Sequence, residues 1–216
     1  MLRKKFTAEF VGTLLLLAIV VGSGIMGYRL CGGNLAIALL ANSMATGFGL
    51  IVLIWIFGPI SGAHFNPLVT LICLFQGIQT KKEAVLYLIA QFSGAICGVF
   101  IAHFMFGDAL ISISTHDRGG ISQMFSEFIA SFGLILVIRM VHDKEKTPFA
   151  VGAYIASAYW FTASTSFANP AATVARAFTS SFAGIAPSNI LNFIFAQLLG
   201  AFAAVLVSRW HRSEQE

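Results

Sequence analysis

Charge is scarce in this chain: only 10% of its 216 residues are charged, where a soluble domain carries roughly 25%. That deficit excludes an ordinary water-facing surface. With 57% hydrophobic residues, 21 Phe and a mean hydropathy of +0.84, most of the surface is read as facing lipid. Cysteine is equally sparse. Cys31, Cys73 and Cys97 show neither metal-ligand spacing nor a disulfide framework, and Cys73 and Cys97 read as small buried hydrophobes. No metal, cofactor or nucleic-acid partner is expected. A cleavable leader is also missing from the reading. Met1-Leu2-Arg3-Lys4-Lys5 is basic, but the apolar run after it is long, contains Glu9 and is not closed by a small-residue cleavage site.

What is present is a series of apolar runs. Six are long enough to cross a hydrocarbon core of ~30 Å at about 1.5 Å per residue: 6–26, 35–57, 84–106, 121–141, 148–166 and 189–208. Two shorter stretches, 66–76 and 169–182, each begin with Asn-Pro. Asparagine at a cap and proline at the first helical position mark a helix start. Both stretches are too short to span, so each is expected to be a half-helix that begins inside the membrane and returns to its own surface. Lys and Arg set the orientation. With both termini in the cytoplasm, ten basic residues lie inside and three (Arg29, Arg118 and Arg176) lie outside. Residues 107–120 then form a long outer linker, and His142 to Thr147 a short inner loop.

The two halves echo one another. "AEFVGT" (8–13) matches "SEFIAS" (126–131), pairing Glu9 with Glu127. "HFNPLVT" matches "FANPAAT", pairing Asn66 with Asn169, and "AQFSGA" matches "AQLLGA", pairing Gln91 with Gln197. Three spans per half is an odd number, so the second copy (121–210) enters upside down relative to the first (6–106), the whole forming a single transmembrane channel domain. Inverted repeats with interrupted helices place a binding or conduction site near the midplane. Two half-helices meeting there would present their positive N-terminal ends and unpaired N–H groups. Irregular backbone at that depth needs protein or a water-filled cavity to satisfy it. Such a midpoint repels cations and suits small uncharged solutes.

These residues resemble the aquaporin (major intrinsic protein) family over nearly the whole chain. The resemblance rests on Glu9 and Glu127, "SGAHFNP" (61–67), "FANPA" (167–171), Gln91 and Gln197. It implies an all-α right-handed bundle of six tilted helices plus two re-entrant half-helices, one pore per subunit, a homotetramer in the lipid bilayer, and passive conduction. Two departures stand out. The first motif is Asn66-Pro67-Leu68, where the second is Asn169-Pro170-Ala171; the leucine should change packing behind the cap and spare the Asn donors. Three residues after Asn169, where water- and glycerol-conducting members usually carry arginine, stands Ala172.

Carrying the other constriction positions over by spacing selects Ser166, Ser157 and, on the second span, Thr46 in preference to Phe48. Thr46 and Phe48 lie about 200° apart on a helix, so only one can face a pore. A lining of Thr46, Ser157, Ser166 and Ala172 is wide and uncharged. It resembles bacterial members associated with arsenic resistance, which conduct arsenite and related hydroxyl solutes. His64 is read either as an inner-vestibule acceptor or as a satisfied buried histidine. Arg176 is read either over the outer mouth or paired with a loop or headgroups. Glu9 and Glu127 are expected to hold the re-entrant backbone, although intramembrane carboxylates also raise the possibility of a proton relay. His103 is expected to be structural, and Gly94, Gly98, Gly200 and Ala204 to be close-packing contacts.

The expected activity is thus a passive channel in the bacterial cytoplasmic membrane for small neutral solutes such as glycerol, arsenite, methylated arsenicals and water. A water-selective channel and a proton-coupled transporter using Glu9 or Glu127 are the alternatives. An intramembrane hydrolase finds no serine paired with a histidine base in a recognisable motif, so no enzymatic activity is expected.

Overall fold

The computed structural model describes residues 1–213. Eight helices follow in order: α1 (Leu2–Leu30), α2 (Leu35–Ser61), α3 (Pro67–Phe75), α4 (Lys81–Phe106), α5 (Ile121–Met140), α6 (Thr147–Phe161), α7 (Pro170–Ala175) and α8 (Ile190–Ser213). No strand occurs among the described residues. Five of the helices (α1, α2, α4, α5 and α8) are long and apolar enough to cross a membrane. Their outward faces carry large apolar side chains such as Phe104, Phe125, Leu191 and Phe202, all largely exposed, as a lipid-facing bundle requires.

Local chemistry sets the ends. The Asn34 side chain accepts from the Ala36 N–H to start α2, and Thr80 with Glu83 forms a reciprocal capping box at α4. Asn66 and Asn169 cap α3 and α7, with proline at the first helical position of each. The expected span 148–166 is shorter than its hydropathy suggested: α6 stops at Phe161 after 15 residues, about 22 Å at helical rise. The reason lies downstream. Residues 162–169 are drawn into a re-entrant loop whose Phe167 and Ala168 N–H groups bond to Glu127, so they cannot remain in a helix. The second half-helix is also shorter than 169–182, giving way to a 3-10 turn at Arg176–Phe178.

Small residues bring the long helices together in two equivalent pairs. A Cβ on Gly94 would lie 2.5 Å from the Phe10 carbonyl oxygen, joining α4 to α1; a Cβ on Gly200 would lie 2.2 Å from that of Phe128, joining α8 to α5. Gly98 meets the Leu14 carbonyl in the same way, and Ala204 is fully buried against Ile135. Between the halves, α2 and α6 cross at Gly47 and Gly152. A Cβ on either glycine would approach the other's carbonyl oxygen to within 2.9 Å, so this crossing is reciprocal. Ion pairs mark the two ends of the bundle. Lys5 and Glu83 lie 3.0 Å apart at one end, Arg29 and Asp108 2.7 Å apart at the other.

Candidate functional site

Each re-entrant loop hangs from one buried carboxylate. Glu9, fully buried on α1, accepts the backbone N–H of His64 (2.9 Å) and Phe65 (2.8 Å), the Ser61 hydroxyl (2.6 Å) and the Gln91 amide (2.9 Å). Glu127 on α5 accepts Phe167 (2.8 Å), Ala168 (2.9 Å) and Gln197 (2.6 Å). These loops need such anchors because their backbone is unfavourable. Ala63, Phe65, Thr165, Ser166 and Ala168 all adopt φ between 46° and 60°, the left-handed region that non-glycine residues seldom enter. Charge-assisted bonds to consecutive N–H groups are about twice as strong as neutral ones and offset that cost. Thr70 and Thr173, four residues past each asparagine, complete the scaffold: each hydroxyl accepts a 2.9 Å bond from the amide of Gln91 or Gln197. The signal in the sequence is the threonine that closes both matched strings, "NPLVT" and "NPAAT".

The asparagines lock the loops to each other. Asn66 Oδ1 caps its own half-helix at Leu68 N, while Nδ2 donates across to the Ala168 carbonyl at 2.8 Å. Asn169 Oδ1 accepts from Ala171 and Ala172 N, while Nδ2 donates to the Phe65 carbonyl at 2.8 Å. An amide NH₂ has two hydrogens, so one remains on each asparagine, and both asparagines line the same central cavity. Pro67, Leu68, Pro170 and Ala171 are buried behind them. Leu68 packs with Ile135, Ala201 and Ala204, away from the cavity.

The cavity, about 850 Å³ with its open ends included, runs along the bundle in three tiers fixed by the direction of each helix. At the Lys5 end lie His64, Ile54, Ile138 and Val151; at mid-depth lie Asn66, Asn169, Leu16 and Leu50. Toward the Arg29 end lie Thr46, Tyr159, Ser166, Ala172 and Arg176. Polar groups come chiefly from the loops, whereas the long helices supply aliphatic wall.

Thr46 faces this lumen, its hydroxyl 3.3 Å from that of Tyr159, and Phe48 points outward, 59% exposed. Ser166 and Ala172 are buried in the wall. Ser157 is not there. It is exposed on the back of α6, with its hydroxyl bonded to the Ala153 carbonyl. The lumen-facing residues of α6 are Thr147, Val151, Ile155 and Tyr159, four apart, and a shift of two residues from Tyr159 to Ser157 turns a side chain through about 200°. Counting twelve back from Asn169 presumes a helix-to-loop distance that this chain does not have.

His64 resolves as both a lining residue and a satisfied one: Nδ1 lies 3.0 Å from the Thr70 hydroxyl. His103 is buried in the fold, bonded through its two ring nitrogens to the Leu110 carbonyl and the Thr179 hydroxyl. Arg176 lies inside the protein, 2% exposed, with Nε donating to the Ala183 carbonyl and its guanidinium 3.3 Å above the Phe167 ring.

Arg118, expected only as one of the outer basic residues, is buried. It leaves the outer linker to donate to the carbonyls of Gly184 (2.8 Å) and Ser164 (3.0 Å), and its guanidinium lies 5.0 Å from the Phe167 ring. Burial pulls its pKa down to about 10, which leaves it charged at neutral pH. Burial first, and then the Arg118 and Arg176 charges, hold the neighbouring His116 below its ordinary pKa. Among the described residues no group of three or more His, Cys, Asp or Glu side chains could hold a metal ion.

A membrane bundle with two half-helices cross-linked at the centre of a lined pore is a channel architecture. Comparison with known proteins gives its family. A family model for the major intrinsic proteins matches residues 1–150. The chain is 48% identical to the aquaglyceroporin AqpS of Rhizobium meliloti over 97% of this chain and 90% of the relative. It is 32% identical to the probable aquaporin TIP2-2 of Oryza sativa subsp. japonica, covering 96% and 86% of the two chains. In fold it superposes on the aquaglyceroporin from Plasmodium falciparum with a TM-score of 0.71 at 21% identity, over 98% of this chain and 96% of that one. The chain belongs to the major intrinsic protein family. It is an integral membrane channel and not an enzyme.

Proposed function

We propose that this pore conducts water, glycerol and small hydroxylated neutral solutes, including arsenite and methylated arsenicals. The observation that carries the reading is the outer tier, where Ala172 occupies the wall beside Ser166 and Thr46. A methyl group there leaves room that a long side chain would fill. The relatives named aquaglyceroporin support the glycerol class. The arsenical class rests on the small side chains of Ala172, Ser166 and Thr46 in the tier that Arg176 also lines.

Passage proceeds by substitution of hydrogen bonds. A solute sheds part of its hydration at the outer tier, where Thr46, Tyr159 and Ser166 offer hydroxyls. At mid-depth it meets the free N–H of Asn66 and Asn169, and at the inner tier the His64 ring, while its apolar side slides along Leu16 and Leu50. Cations are opposed at the centre by the N-terminal ends of α3 and α7. We further read the channel as a homotetramer of the bacterial cytoplasmic membrane with both termini inside, in keeping with the distribution of Lys and Arg.

Stopped-flow light scattering on proteoliposomes tests the reading. Water, glycerol and arsenite fluxes are expected well above those of empty liposomes, and Ala172→Arg should lower glycerol and arsenite flux more than water flux. Flux no greater than in empty liposomes for all three solutes contradicts the reading. Three fluxes unchanged by Ala172→Arg in a folded protein contradict the constriction.

A further inference from the structure

Arg176 and Arg118 are both buried, 2% and 7% exposed, and neither lies within ion-pair distance of a carboxylate among the described residues. A buried charge without a counter-ion is costly and persists where its donors are used or where it serves a function. For Arg118 the account closes internally. Its Nε and Nη groups go to the carbonyls of Gly184, Ser164 and Phe182 and to the Thr165 hydroxyl. For Arg176 it does not. Among the described residues only Nε has a hydrogen-bond partner, the Ala183 carbonyl, which leaves four of its five N–H donors unmatched in a residue that lines the lumen. In the same tier the Ser166 hydroxyl is buried and also lacks a partner. Unmatched buried polar groups facing one cavity indicate what the cavity takes.

We propose that Arg176 is the specificity-determining residue of the outer mouth, where its free guanidinium N–H groups and the Ser166 hydroxyl form a transient station for neutral solutes bearing two or more hydroxyls. Arg118 is a positioning residue that acts through Phe167. The Phe167 ring lies against both guanidiniums and packs on Phe193 at 5.2 Å between centroids. Arg118 ties the loop before Asn169 to the segment after α7, and the latter supplies the Ala183 carbonyl that holds Arg176. A polyol that bridges Arg176 and Ser166 recovers several of the hydrogen bonds it loses with its water shell. A water molecule has less to recover, so the station favours polyols over water. This inference rests on the channel reading above.

The test compares glycerol and water permeability of the same proteoliposomes, reconstituted from wild-type protein, Arg176→Met, Arg176→Lys and Arg118→Met. Wild-type conduction of both solutes is the precondition, and its absence would overturn the channel reading itself. Given that conduction, Arg176→Met should lower the glycerol-to-water ratio by at least about fivefold, the equivalent of one lost hydrogen bond. Arg176→Lys keeps the charge but loses the planar fork. It should fall between Met and wild type, and it carries the test alone if the Met variant does not fold. Arg118→Met should lower the ratio in the same direction, and combined with Arg176→Met it should lower it no further than Arg176→Met alone. A ratio unchanged in the Arg176 variants overturns the proposal. Additive losses in the double variant overturn the positioning role of Arg118, and halide flux through the wild-type channel shows that the two arginines serve anions instead.

Discussion

Two residues of α6 separate an outward face from a conducting one. Tyr159 lines the lumen with its hydroxyl beside Thr46, whereas Ser157 sits on the back of the helix. Ser157→Val is therefore expected to leave water and glycerol fluxes within about twofold of wild type, since an exposed substitution away from partners shifts energies by only ~0.5 kcal/mol. Tyr159→Ala, which empties part of the outer tier, should raise glycerol flux relative to water. Stopped-flow traces of the two variants side by side check this, and the reverse pattern would restore Ser157 to the lining. Much at this scale was legible in the sequence, because Glu9, Glu127, Asn66, Asn169, Gln91 and Gln197 recur in order within polar-in-apolar motifs that have few other uses. Ser157 and Arg118 were not. Placement by counting fails when a helix ends elsewhere, and the partners of Arg118 are backbone carbonyls 46 to 66 residues away, which leave no side-chain signature. An arginine in a polar linker reads as a headgroup contact until the fold shows it buried.

At the scale of elements, the half-helices are too short to hold themselves. The helix α7 has six residues, below any length at which helical propensity supplies stability. Its cap and its preceding loop are fixed instead by Glu127 and by the crossed Asn66–Ala168 and Asn169–Phe65 bonds. Replacing Glu127 with alanine strands two buried N–H groups and the Gln197 amide, at a cost of about 3–5 kcal/mol. Glu127→Gln, which keeps one acceptor oxygen, should cost less. Thermal unfolding of the purified protein in detergent should rank wild type above Gln above Ala. A loss below about 1 kcal/mol for alanine would show that the loop stands without its anchor. The hydropathy pattern gave the long helices closely but misplaced the ends around α6 and α7. The carboxylate that terminates the helix lies 40 residues upstream of its partner, beyond the reach of any local periodicity.

At the scale of the whole molecule, the inverted repeat makes the centre of the membrane the place where two chain reversals meet. The same symmetry gives each half a carboxylate, a glutamine, a threonine and a close helix crossing. The departures from symmetry fall at the ends of the pore: His64 at one end has Phe167 as its counterpart at the other, and there Phe167 supports two arginines instead of donating to a solute. Such an arrangement sets a polar stripe from the loops against an aliphatic wall from the long helices. Glu9 and Glu127, each accepting two consecutive backbone N–H groups, anchor the re-entrant loops.

The most direct measurement follows solute and proton flux in the same vesicles. Proteoliposomes loaded with a pH-sensitive dye are given a glycerol gradient and, in parallel, a pH gradient. Glycerol-driven swelling is expected to be far faster than in empty liposomes, with glycerol flux indifferent to the pH gradient and no added proton entry. Glycerol uptake that saturates and collapses with the proton gradient, or proton entry that rises with the amount of protein, would contradict this expectation.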